Sequence, residues 1–420
     1  MKRITIKLAK WSLFLLLGAA VGAAALWYHL TVSLPDTFLV TEGSRLTFAD
    51  LPFLSAKAPQ GDAVAASAQR GDSYNAEIKL LGFLPVKTAR VQVVQNKVVE
   101  VSGQPFGIKM FSDGVMVVGF SDIYTQGGYA NPAKSAGLAL GDTVHTMNGV
   151  AVRTNEDVKK VVEESGGAPI TLEYTHQNKR YTAALTPVLQ EGGEANAFRL
   201  GMWVRDSSAG IGTLTFIDRA SGIFAGLGHS ITDADTGESI QLLTGEIVPV
   251  TITGYTQSVK GSPGQLTGQF SPETAGVVAR NDANGVYGQL NGLFSGAFSG
   301  EQAELCPMQE VKTGPAQILT TIDGKRPQLY NIEIEKLTYT AEDPNKNMLI
   351  RVTDQRLLSS TGGIVQGMSG SPILQNGRLV GAVTHVLVGQ PQKGFGIFAE
   401  NMMETVETLA EEKIVLQKSA

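Results

Sequence analysis

Cysteine is almost missing from this chain of 420 residues: Cys306 is the only one, so no intrachain disulfide can form. A lone cysteine is compatible with an exported bacterial protein. Histidine is scarce too, at His29, His145, His176, His229 and His385. No two of these stand at helical ligand spacing, and no cysteine cluster exists, which argues against a zinc site; no residue pattern calls for a metal or any other cofactor. Charge is also sparse, at 17% of residues with a net −5, and no basic stripe crosses the body of the chain. Nucleic acid is therefore not expected as a partner. What is abundant is hydrophobic residues (43%) and glycine (48 residues). The first argues against general disorder, and the second points to short strands and tight turns. The length leaves room for two or three domains.

The N-terminus carries a membrane signal. "MKRITIKLAK" holds four basic residues and no acidic one, and the apolar run Trp11–Leu30 follows. About 20 such residues span a bilayer as a helix. The basic flank then stays in the cytoplasm, and everything after residue 30 lies outside it. The run continues through Leu26, Trp27 and Tyr28 without a polar segment. That favours a retained anchor over a signal peptide cut near Ala23–Ala25, which would give a secreted form. Residues 31–103 are expected to be an extracytoplasmic spacer with short strands. Its stretch Ser55–Ser73 is small and polar, suited to proteolysis.

"AGLALGDTVHTMNGVAVRTNEDVKKVVEES" (Ala136–Ser165) contains a tight turn, a strand, an Asn-Gly turn and a capping box of Thr154 and Asp157. The helix that follows places Val158, Val161 and Val162 on one face. This order resembles a PDZ domain, over residues 104–190. The resemblance implies a Φ-Gly-Φ loop that offers backbone N–H groups to a peptide carboxylate. The matching residues are Phe106, Gly107 and Ile108. Residues 195–420 are rich in β signals and close on one clear helix.

"QGMSGSPI" (Gln366–Ile373) sets a serine between glycines, ahead of an Asn-Gly hairpin. A nucleophilic serine needs a hydroxyl free of crowding and N–H donors aimed at the oxyanion. The string resembles the G-D-S-G-G-P of chymotrypsin-like peptidases, with Met368 for Asp and Ser371 for Gly. So aligned, Ser369 is the nucleophile, and the N–H groups of Gly367 and Ser369 form the oxyanion hole. A serine needs a base near neutral pKa. His229, in the glycine-flanked turn "FAGLGHSITD", is preferred to His385, which lies in an alternating strand and suits a cleft wall. Asp354, at the end of "MLIRVT", is the carboxylate expected to fix the imidazole, with Asp233, Asp235, Asp282, Asp323 and Asp343 left open.

These segments, in this order behind one apolar N-terminal run, resemble the stage IV sporulation protein B family from about residue 76 onward. The resemblance implies an exported serine endopeptidase of endospore-forming bacteria, with catalytic His229, Asp354 and Ser369. It also implies cleavage of itself and of a regulatory membrane protein in the forespore intermembrane space. That cut releases an intramembrane protease that processes a late sigma factor. The fold class expected is mainly β. Residues 1–30 are the basic flank and transmembrane anchor, 104–190 the PDZ domain, and 195–420 a chymotrypsin-like β-barrel peptidase domain. Two other roles fit the same residues, a quality-control peptidase for exported proteins and an inactive PDZ scaffold.

Overall fold

A computed structural model describes residues 2–58, 68–177, 179–191, 197–233, 235–238, 242–292, 296–298 and 300–419. The chain is mainly β, as expected, and its strands make four bodies, two of which share a continuous sheet. The expected spacer is the first correction. Strands Thr37–Thr41, Leu84–Val94, Ser73–Leu80 and Leu54–Lys57 form a four-stranded sheet in that spatial order. Every second residue of Ala76–Leu80 and Ala89–Val93 turns inward, the period of a half-buried strand. These side chains meet Leu30, Leu34, Phe38, Val40, Leu46 and Phe48 in a separate core. Apolar residues scattered over 60 positions thus close a small domain that short windows of sequence do not show. Residues 59–67 of the expected cleavage region lie outside the described residues.

The helix Lys2–Ser33 runs into this domain and buries Leu30 against it. Some side chains of its apolar run, including those at 12–14, 16 and 20, lie outside the described residues. Among the described residues no helix is long and apolar enough to cross a membrane.

The second correction concerns where the domain expected over 195–420 begins. Strand Pro105–Phe120 is 16 residues long, and its antiparallel partner Met202–Asp218 is 17. Their pairing extends from Met202↔Phe120 to Thr213↔Pro105. Between them the chain builds the PDZ-like unit, from Ile123 to Arg199. The inner ends of the two strands join Leu242–Tyr255, Gly276–Asp282, Gly285–Leu290 and Ile223–Gly226 in a ring. Phe106, Ile108, Met110, Leu214, Phe224 and Ile247 fill that ring. The PDZ-like unit is therefore an insertion in the first barrel, which takes its first strands from residues before 195. The unit itself keeps its expected local features. Asn148 and Gly149 both have positive φ, as a type I′ turn requires. Thr154 and Asp157 form the reciprocal capping box, and Val158, Val161 and Val162 are buried.

A second closed barrel is made by Gly314–Thr320, Gln328–Leu337, Met348–Val352, Lys393–Phe398, Arg378–Val386 and Pro372–Gln375. Ile318, Ile332, Ile350, Met368, Ile373, Val383 and Phe398 are among its core. The C-terminal helix Ala399–Ser419 buries Met402, Met403 and Val406 against side chains of both barrels, so it locks them together.

Candidate functional site

The two barrels meet at a cleft of about 650 Å³ lined by His229 and Ile231 from the first, and by Gly367, Ser369, Thr384 and His385 from the second. The chain reaches His229 by a sharp turn out of Ile223–Gly226. Leu227 and Gly228 are both left-handed, with φ of 64° and 71°. A Cβ on Gly228 would stand 2.9 Å from Ile397 and 3.0 Å from Thr384, so only glycine lets this turn press against the second barrel. The imidazole Nδ1 lies 2.8 Å from the carbonyl oxygen of Ser230. A carbonyl only accepts, so Nδ1 carries the proton and Nε2 of the neutral ring keeps its lone pair. Burial pushes the His229 pKa down, against the smaller opposing pull of the Ser230 carbonyl. The side-chain amide of Asn281 holds the next turn, accepting from Ile231 N–H at 2.8 Å and donating to Ile231 O.

The Ser369 loop is clamped from across the cleft. Thr213 N–H donates to Ser369 O at 2.9 Å, Thr213 Oγ1 to Gly367 O, and Thr215 Oγ1 to Gly370 O, both at 2.8 Å. Gly370 N–H reaches Val383 O at 2.7 Å. Carbonyls are thus drawn outward, and among the described residues the N–H groups of Gly367 and Ser369 donate to no protein acceptor. Two free amides around a serine are what an oxyanion hole needs. The two departures from the chymotrypsin-like string also find a place. Met368 points into the second barrel's core, and Ser371 Oγ bonds Thr320 Oγ1 at 2.9 Å in the interior.

The hydroxyl of Ser369 donates to Thr384 O at 2.7 Å, and no hydrogen bond joins it to His229. The Ser369 hydroxyl is therefore turned aside from the imidazole. For a proton to pass from Ser369 to Nε2, the hydroxyl would have to leave that carbonyl. His385 lies tilted against His229, ring centroids 4.5 Å apart and ring planes 34° apart. Its pKa falls to about 4, first through burial, then through His229 and Lys346, with Asp343 opposing. It occupies the cleft wall, as its strand position suggested.

Asp354 is not brought to this site. It caps the helix Gln355–Thr361, accepting from Arg356 N–H at 3.0 Å and from Asn331 N–H at 3.2 Å, and Arg356 Nε and Nη2 take both oxygens. The Arg356 guanidinium first, with those amides, holds its pKa down to about 2. Sequence placed it correctly at a strand end, but the strand ends by starting a helix, and an aspartate there is an N-cap. Among the described residues no carboxylate hydrogen-bonds either cleft histidine; the Ser230 carbonyl orients His229 instead. Asp354→Ala is expected to cost about 1–2 kcal/mol of stability through the lost cap. Its kcat should fall far less than the roughly 10⁴-fold of a missing triad carboxylate. Thermal melting and steady-state kinetics on the same sample separate the two.

The other open carboxylates are placed as well. Asp233 and Asp235 pair with Arg205, and Asp343 with Lys346. Asp282 is pushed up by burial and accepts from Asn284 N–H at 2.9 Å. Asp323 makes no side-chain bond among the described residues.

The PDZ carboxylate loop is the remaining correction. Phe106 and Ile108 are buried in the first barrel, and Gly107 pairs with Ile211 and Val248. A Cβ on Gly107 would strike the Phe270 ring. These residues cannot greet a peptide. A second Φ-Gly-Φ string, Leu200, Gly201 and Met202, holds the expected place. Leu200 O accepts from Ala133 N–H, and Gly201 O from Ser121 N–H and Asn131 Nδ2. The Leu200 and Gly201 N–H groups donate to no protein acceptor among the described residues. Met202–Arg205 pairs with Met116–Phe120 on one edge only, and its other side approaches the helix Asn155–Glu164. The string "RLGMW" was readable in the sequence, but it follows the PDZ-like motif instead of preceding it.

Residues 196–403 match the model of the SpoIVB peptidase S55 family. No curated protein matches the chain. Among solved structures, the PDZ domain of the SdrC-like protein from Listeria monocytogenes is 19% identical over 22% of this chain and 87% of its own, with a TM-score of 0.17. The active form of the Rv3671c protease from M. tuberculosis is 14% identical over 46% and 70%, with a TM-score of 0.26. Deg5 is 15% identical over 48% and 84%, with a TM-score of 0.29.

Proposed function

The chain belongs to the SpoIVB peptidase S55 family and is a serine endopeptidase, and from that premise we propose a membrane-anchored signalling enzyme acting outside the cytoplasm. It cuts itself and a regulatory membrane protein, and the second cut triggers intramembrane proteolysis and late sigma-factor activation during sporulation. Ser369 attacks the scissile carbonyl, and His229 Nε2 takes its proton and returns it to the leaving amine. The Gly367 and Ser369 amides hold the oxyanion. The resulting acyl-enzyme is hydrolysed by water activated at the same imidazole. The observation that supports this reading best is the junction itself. One barrel brings a base with a free Nε2, and the other a serine flanked by two free amides.

The test is to incubate the full chain and its Ser369→Ala variant in lipid vesicles at neutral pH and follow intact mass. Fragments are expected from the wild type alone, with a cut within Ser55–Ser73. Equal fragments from both would overturn the reading, and digestion of any unfolded protein offered would favour quality control over signalling.

The acid limb of activity follows from His229. The base must be neutral, and burial lowers its pKa below the ordinary value of about 6.5. The kcat/KM limb is therefore expected below pH 6.5, with activity lost as pH falls through it. A limb above 6.5 would mean that a carboxylate faces the ring in the working enzyme.

A further inference from the structure

The turn between strands Ser73–Leu80 and Leu84–Val94 breaks two rules at once. Leu81 has a φ of 54° and Gly82 a φ of 78°, the left-handed pair of a tight hairpin. Asn, Asp or Gly normally stands where Leu81 does, because a larger side chain is strained there. That leucine is also 65% exposed, and beside it Phe83 is 73% and Leu84 38% exposed. Phe53 adds a fourth apolar side chain, since its carbonyl accepts from Leu81 N–H at 2.8 Å. Strain and exposed apolar surface both disfavour this turn in water. No charged residue occurs from Leu80 to Val86, while Lys79 and Lys87 flank it, each in an ion pair.

The turn stands beside the N-terminal helix. Trp27 Nε1 donates to Pro85 O at 2.8 Å, and Thr31 Oγ1 to Val86 O at 3.3 Å. Residues 21–29 of that helix are exposed, with Tyr28 at 68% and Val21 at 62%, so no protein core covers the apolar surface of this stretch. A helix that is apolar all round and uncovered needs an apolar medium. Trp and Tyr collect at the boundary between headgroups and acyl chains, where one end of the ring is wet and the other dry. The bond from Trp27 to Pro85 therefore sets the depth of the turn: it lies level with the aromatic pair.

We propose that the turn Leu80–Val86, with Phe53, is a second membrane contact that seats Leu81, Phe83 and Leu84 in the lipid interface beside the helix. The partner is the headgroup–acyl boundary of a bilayer. Two contacts held together by the Trp27–Pro85 bond would fix the orientation of the first domain on the membrane, where one helix alone would leave it free to swing. The proposal rests on the reading that the helix enters a membrane.

The experiment uses the full chain with Cys306→Ala. Single cysteines at Phe83→Cys, Leu17→Cys and Tyr129→Cys are labelled with the fluorophore NBD. Each protein is placed in vesicles of phosphatidylcholine and phosphatidylglycerol, with or without brominated acyl chains. Tyr129, 78% exposed on the PDZ-like unit, is the aqueous reference. Label at 83 is expected to shift to the blue and to lose intensity in brominated vesicles, as at 17, while label at 129 does neither. Quenching at 17 with an aqueous signal at 83 overturns the proposal but leaves the anchor standing, and hands the surface to a protein partner. Quenching at neither removes both. Quenching at 83 alone removes the anchor and overturns the proposal as a second contact beside it.

Discussion

Ser369→Ala is expected to lower the peptide-bond cleavage rate on the order of 10⁶-fold, with the fold intact. The magnitude follows from the site's construction. Ser369 is the one hydroxyl set between two free amides at the cleft, and Ser371, two residues on, is buried and bonded to Thr320. Ser371 therefore cannot replace it. His229→Ala should cost about as much, and the double variant little more than either single one, because base and nucleophile act as a unit. Additive losses would mean that His229 serves another step. The hydroxyl of Ser369 contributes nothing to the core, only a bond to Thr384 O, so melting temperatures of wild type and Ser369→Ala should nearly coincide.

Gly370→Ala carries the second large effect, by geometry instead of chemistry. Gly370 has a φ of 93°, and a Cβ there would overlap the carbonyl oxygen of Thr213 and stand 2.5 Å from Leu227 N. Both neighbours are backbone and cannot step aside alone. Thr213 N–H holds Ser369 O, and Thr215 Oγ1 holds Gly370 O, so displacing either strand moves the serine and its amides together. Losing alignment of one oxyanion donor costs about 10²–10³ in kcat. A loss of at least that size is expected, with KM less affected. Gly377→Ala is the control. Gly377 also has a positive φ, 78°, but nothing lies within 4 Å of its missing Cβ. It should lose about 1 kcal/mol of stability and no activity. Equal loss of activity at both positions would show that strain alone governs the loop.

Local signals in the sequence gave correct local answers. Thr154 and Asp157, Asn148-Gly149 and the valine face of the PDZ-like helix depend on neighbours within a few residues, and all formed as read. That His229 and Ser369 share one cleft was legible for a related reason: chemistry restricts a candidate base and nucleophile to few residue types, and glycines mark turns that expose them. What failed was non-local. Pro105–Phe120 belongs to a barrel at one end and to the PDZ-like unit at the other, and nothing in its composition marks the change. Its partner lies about a hundred residues away. Phe106-Gly107-Ile108 was therefore assigned by order along the chain, whereas the free edge belongs to the strand that returns. Asp354 failed differently. A carboxylate beside a future active site and a carboxylate starting a helix look alike in sequence, and only the Arg356 and Asn331 partners tell them apart. The small N-terminal domain was hidden because its core draws on residues from Leu30 to Val93, with a polar stretch in the middle.

The most direct measurement is to react the full chain with a fluorophosphonate, which labels only serines activated by a base, and to map the modified peptide by mass. A Ser369 activated by His229 without Asp354 gives one adduct, on Ser369, formed in wild type and in Asp354→Ala but lost in His229→Ala. An adduct on another residue would contradict it, as would labelling that survives His229→Ala or vanishes in a folded Asp354→Ala.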